Sequence, residues 1–93
     1  MTPFDSNRPA GQKPRHRAYC PPPNTLPAFP NAMRIRPKGS RVRWRDDHGV
    51  LLEWDSEAGM LAMYGLHGWH LGDFDHVRGE NLKLAEPGRR IDR

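Results

Sequence analysis

From Arg41 onward, apolar and polar residues alternate with a period of two, and turn-forming residues interrupt the pattern at short intervals. This is how an antiparallel sheet reads. Strands are expected over residues 41–45, 50–55, 60–64 and 69–75, with a weaker fifth around Leu82-Lys83-Leu84. The turns between them fall at residues 46–49, 56–59, 65–68 and 76–79. If the second and third strands pair across the 56–59 turn, Asp55 faces Met60, Glu53 faces Ala62 and Leu51 faces Tyr64. One face then carries Leu51, Glu53, Asp55, Met60, Ala62 and Tyr64, and the other Val50, Leu52, Trp54, Leu61 and Met63. The second set is the more apolar and should be the core, which leaves the face with two carboxylates for chemistry or binding.

The N-terminal part has no such period. Nine of the ten prolines lie between Pro3 and Pro37, including Pro21-Pro22-Pro23. This stretch should be extended, without sheet ladders or long helices. The expected organisation is a Pro-rich basic arm over residues 1–38, partly packed on the body through Leu26, Phe29 and Met33, and an antiparallel β domain over residues 39–93. A four- or five-stranded meander of that size buries little surface, so the arm or a partner should complete its core.

Composition narrows the class. Hydrophobic residues make up 35% of the 93 residues, and no apolar run approaches the roughly 18 residues of a helical membrane span. The first residues show neither the basic nor the apolar region of a cleavable secretory signal. Cys20 is the single cysteine, which excludes an internal disulfide or a cysteine-rich metal scaffold. The net charge of +4 conceals an asymmetry: residues 1–45 hold ten Lys and Arg against Asp5 alone, and residues 46–93 hold five against ten carboxylates. A basic arm on an acidic body points to a polyanionic partner, since cations that neutralise phosphates release condensed counterions.

Several segments then resemble a known family. Leu52-Glu53-Trp54-Asp55-Ser56, a tight turn, a strand ending in Tyr64, and His70-Leu71-Gly72-Asp73-Phe74-Asp75 are similar to the E-W-D and H-L-G-x-F-D motifs of the ribosome-cleaving ribonuclease domains of colicins, pyocins and contact-dependent toxins. Tyr19 to Thr25, Leu26 to Ala32, and Gly39 to Trp44 resemble the family's upstream segments, so the likeness spans roughly residues 15–91. It implies a compact, highly twisted antiparallel sheet with an N-terminal extension. It also implies an endoribonuclease that needs no metal or other cofactor, cuts 16S ribosomal RNA in the decoding site, and is silenced by a cognate acidic immunity protein. Such a domain is made in the bacterial cytoplasm and acts in that of a target cell, carried there by a larger secreted toxin.

An RNase of this kind needs a base for the 2′-hydroxyl proton, an acid for the leaving oxygen and a cation for the phosphorane charge. By resemblance, Asp55 matches the family's Asp and Arg89 its Arg. Ala58 and Ala62 stand where the family has its His and Glu, Val42 replaces a basic residue, and Arg15 replaces an aromatic. The resemblance therefore implies either an inactivated form or a member whose chemistry is lost or moved. Glu53 or Asp55 as base with His70 as acid is the substitute site. Against it, Glu53 can pair with Arg43 or Arg45, and His70 can pack on Trp69 or Tyr64. RNA contacts are expected from Lys38, Arg41, Arg43, Arg45, Arg90 and Trp44, the last being the one tryptophan flanked by arginines. His67 and His70 have metal-ligand spacing, but they lie in a turn and a strand without a cysteine partner, so no metal site is assigned. The alternative to an enzyme is a module of the same fold that binds RNA or an immunity protein without turnover.

Overall fold

The computed structural model describes residues 19–92. Within them are six strands: β1 (Met33–Lys38), β2 (Arg41–Arg45), β3 (Leu51–Asp55), β4 (Met60–Tyr64), β5 (His70–Phe74) and β6 (Asn81–Leu84). Each pairs with the next in chain order, giving one open antiparallel meander. The described residues include no helix long and apolar enough to cross a membrane.

The antiparallel all-β class agrees with the expectation, with one strand more than the four or five anticipated. The addition is β1, in a stretch expected to run without ladders. As an edge strand it has one neighbour, and Pro37 lies where its register shifts between Ile35 and Lys38, so a missing N–H is tolerated there. The basic residues Arg8, Lys13, Arg15 and Arg17 of the expected arm lie outside the described residues.

The central hairpin has the expected register: Asp55 faces Met60, Glu53 faces Ala62, and Leu51 faces Tyr64. Gly59 takes a positive φ of 69°, which lets the tight turn close. One face of the sheet is the main core, where Trp44, Leu52, Trp54 and Leu61 pack with Leu26. Leu52 and Leu61 are fully buried, each contributing about 1.5–3 kcal/mol relative to exposure.

Residues 20–32 cover this face. Cys20 donates its N–H to the Ser56 carbonyl (2.9 Å), Ala28 donates to that of His76 (3.0 Å), and the Trp54 indole donates to the Cys20 carbonyl (2.8 Å). These bonds satisfy backbone groups of a segment that has no ladder of its own.

The opposite face is not simply open. Leu51, Ala62 and Tyr64 are buried there against Ile35 and Ile91. Ile91 arrives on a C-terminal segment that donates its N–H to the Gly68 carbonyl (2.8 Å), while His70 donates to the carbonyl of Arg89 (2.9 Å). Gly68 has φ of 89°, and a Cβ there would stand 2.6 Å from the Ile91 carbonyl oxygen. Only glycine lets the two backbones approach so closely.

Candidate active site

Directly opposed residues in an antiparallel sheet share a face. The pairings therefore align Ile35, Arg43, Glu53, Ala62, Asp73 and Lys83 as one row running across all six strands. A second row holds Met33, Arg45, Leu51, Tyr64 and His70. Asp55 lies one pleat further along β3 on the same face, and Ala58 sits in the turn beyond it.

Glu53 is buried and doubly bound. Its Oε2 accepts from Arg43 Nε at 2.9 Å, and its Oε1 lies 3.4 Å from Arg41 Nη1. Both carboxylate oxygens face guanidinium groups, so Glu53 is a structural ion-pair partner and not a base awaiting a proton. Arg43 is as buried as Glu53, with 8% of its side chain exposed, which removes it from the expected set of RNA contacts: an inward-facing arginine neutralises its own carboxylate. Arg41, Arg45 and Lys38 are exposed. Lys38 forms a surface ion pair with Asp92 at 3.1 Å.

Trp44 is also corrected. It is 3% exposed, within the core, and the Arg34 guanidinium lies 5.4 Å from its ring centroid. A ring so covered cannot stack on a base. The exposed tryptophan is Trp69, at 50%, with Arg90 stacked on it at 5.2 Å. Arg90 also donates Nε–H to the His67 carbonyl (2.9 Å). Trp69 lies between a turn and β5, bridged to Arg90, where alternation says least about burial.

Asp55 is half-buried, and its Oδ1 accepts the backbone N–H of Glu57 (3.0 Å) and of Ala58 (3.2 Å). The carboxylate thus shapes the turn that presents position 58. Ala62 is 1% exposed in mid-strand. Neither alanine can accept or give a proton.

Tyr64 and Arg89 form a unit. Arg89 donates to the Tyr64 hydroxyl oxygen from Nε (3.1 Å) and Nη2 (2.8 Å), and to Glu86 Oε1 from Nη1 (3.1 Å). Partial burial works against the charge of Arg89, but the hydrogen bonds to Tyr64 and Glu86 and the fields of Tyr64 and Asp73 outweigh it, so its pKa lies above the ordinary arginine value. With both lone pairs taken, the Tyr64 hydroxyl has its own proton left to donate. The result is a fixed cation beside an O–H donor, an arrangement suited to a phosphate oxygen.

His70 is placed beside Tyr64, as one of the two sequence alternatives has it, with ring centroids 5.4 Å apart. Its Nε2 meets Asp73 Oδ1 at 2.8 Å, and its Nδ1 accepts the Glu86 N–H at 2.9 Å. A ring with both nitrogens engaged, and 1% of its side chain exposed, cannot reach a leaving oxygen. The substitute acid role is therefore withdrawn.

On the β1–β2 side, the same face forms a groove of about 370 Å³, lined in part by Ile35, Arg36, Lys38, Arg43, Arg45 and Leu51. Cations at the rim, the Glu53 carboxylate already paired with Arg41 and Arg43, and the Tyr64–Arg89 unit across the sheet make this face suited to a polyanion.

A family model described as Cytotoxic matches residues 20–92. The chain belongs to the Cytotoxic family. The match takes in the whole six-stranded sheet, and it bears out the resemblance to colicin-type cytotoxic ribonuclease domains. Among similar proteins, colicin E3 of Escherichia coli is 40% identical over 67 residues, covering 70% of this chain and 12% of colicin E3. Colicin-E6 and cloacin, also from Escherichia coli, are 44% and 42% identical over 55 residues, each covering 57% of this chain and 10% of the relative. This cytotoxic domain thus spans about a tenth of the length of these relatives.

Proposed function

We propose that this cytotoxic domain is the ribonuclease part of a larger bacterial toxin and that its substrate is 16S ribosomal RNA at the decoding site. The observation that carries the proposal is the sharing of one sheet face by Asp55, position 62, Tyr64 and the anchored Arg89, next to the cationic groove. In the reaction, the 2′-hydroxyl attacks the neighbouring phosphorus, the bond to the 5′-oxygen breaks, and a cyclic phosphate and a 5′-hydroxyl result. One proton leaves the 2′-oxygen and one arrives at the 5′-oxygen. Arg89, with the Tyr64 hydroxyl, stabilises the charge on the phosphorane oxygens, and Asp55 holds the turn that presents position 58.

Proton transfer contributes about 10²–10⁴-fold per group. With alanine at 58 and 62, the chain retains the means to hold RNA and lacks those that move protons. Those two alanines favour the second reading, a module that binds RNA or an immunity protein without turnover. In either reading the protein partner is an acidic immunity-type protein occupying the place of the polyanion, with Arg41 and Arg45 at the contact. The expected setting is the cytoplasm of a target cell, reached as part of the larger toxin.

Binding to isolated small ribosomal subunits tests the shared part of both readings. Arg89→Ala should weaken binding by about 10-fold or more, the value of a charge-assisted contact. Unchanged affinity would remove Arg89 from the RNA site.

A further inference from the structure

The proposed chemistry leaves one buried pair without a role. His70 and Asp73 lie on the functional face with 1% and 10% of their side chains exposed and Nε2 to Oδ1 at 2.8 Å. What they touch is the segment that carries Arg89. His70 Nδ1 accepts the N–H of Glu86 (2.9 Å), and the backbone N–H of His70 donates to the carbonyl of Arg89 (2.9 Å). Residues 86–89 form a turn closed by the Arg89 N–H on the Glu86 carbonyl (3.1 Å). A single residue of β5 therefore grips both ends of the turn.

β6 ends at Leu84, so the Glu86 N–H lies beyond the last ladder position of that strand. An amide N–H can only donate, hence Nδ1 must be the accepting nitrogen, and the ring proton sits on Nε2, facing Asp73. Asp73 thus selects the tautomer that can hold Glu86. Glu86 in turn accepts from Arg89 Nη1, and the Tyr64 ring that packs on His70 carries the oxygen on which Arg89 ends.

We propose that His70, oriented by Asp73, is a positioning residue that fixes the turn of residues 86–89 and so holds the Arg89 guanidinium at the place of the scissile phosphate. The inference rests on the ribonuclease reading only in its last step, the meeting of Arg89 with phosphate. A cation on a segment outside the sheet needs such a clamp, because displacement by about 1 Å can cost roughly 10²-fold in rate.

Two substitutions separate the halves of the ring. His70→Asn keeps an acceptor near the Nδ1 position and gives up the hydrogen bond to Asp73. His70→Gln reaches Asp73 and offers Glu86 no acceptor. Amide hydrogen exchange in the full chain should show Glu86 and Arg89 exchanging about 10-fold faster or more in His70→Gln, from the loss of the part-buried hydrogen bond to Glu86. Amides of β3 and β4 should be unchanged, and His70→Asn should stay near the parent. Equal loosening by both variants, or none by His70→Gln, would overturn the proposal.

In the unaltered protein, ¹⁵N spectra should show Nδ1 unprotonated and Nε2 protonated; the opposite tautomer would also overturn it, whatever the variants do. For function, the probe is a single-stranded RNA oligonucleotide. His70→Gln and Arg89→Ala should each weaken binding, and the double variant should bind no worse than Arg89→Ala alone. Additive losses would contradict action through Arg89. If exchange and tautomer behave as expected while Arg89→Ala leaves RNA binding intact, the clamp stands and the ribonuclease reading fails.

Discussion

Position 62 stands between two carboxylates, Glu53 on β3 and Asp73 on β5, all on one face. The cations nearest Glu53 are already committed to it, Arg41 and Arg43, and the Asp73 carboxylate has, among the described residues, only the hydrogen bond from His70. A glutamate introduced by Ala62→Glu would be buried between like charges, and both effects disfavour its ionised form. Its folded pKa should rise above the ordinary value of about 4.3. The folded state then holds the proton more tightly than the unfolded state, so the variant should lose stability relative to the parent as pH rises from about 4.3 through the folded pKa. Urea unfolding from acid to neutral pH would show this, and a difference independent of pH would contradict it.

Glu53→Gln would leave Arg43 buried without its counter-charge, at about 3–5 kcal/mol, whereas Arg41→Ser removes the partly exposed cation at 3.4 Å and leaves Glu53 its closer partner Arg43, so it should cost about 1 kcal/mol or less. Equal effects in denaturant would mean that the triad is not organised around Arg43. The sequence already offered the ion pair as one of two roles for Glu53. The burial of Trp44 was not legible, because the register of β2 on β3 is set across a five-residue connection whose geometry no motif specifies.

Among the elements, β2 to β5 were readable because each alternates and each turn contains glycine. β1 was hidden by Pro37 and by an exposure pattern in which only Ile35 is even half-buried. The C-terminal segment gives no period at all, and its place follows from the close approach at Gly68. Residues 20–32 act as the second layer of the main core. Leu26→Ala should therefore cost about 2–5 kcal/mol, as for a core leucine. A loss below about 1 kcal/mol, smaller than any in that range, would show that this segment is not part of the cooperative unit.

At the scale of the molecule, the charge asymmetry of the sequence becomes a division between rim and floor. Exposed Arg41, Arg45 and Lys38 border the groove side of the functional face, while of the carboxylates in its centre Glu53 is paired with Arg43 and Asp73 is hydrogen-bonded to His70. Replacing Arg41 and Arg45 by Ser should lower the salt dependence of single-stranded RNA binding, by about 0.7 in the log–log slope for each phosphate no longer neutralised. An unchanged slope would place the RNA elsewhere.

The proposed function requires a face that can hold RNA, in a chain that lacks proton-transfer groups at positions 58 and 62. Its most direct test is incubation of intact ribosomes with the chain as it stands and with the Ala58→His, Ala62→Glu double variant, followed by sizing of the small-subunit RNA. The double variant should release a discrete fragment at least about 10²-fold faster than the parent, the smallest contribution expected of one proton-transfer group. A folded double variant that leaves the RNA intact, or a parent that cuts equally fast, would overturn the assignment of positions 58 and 62 to proton transfer.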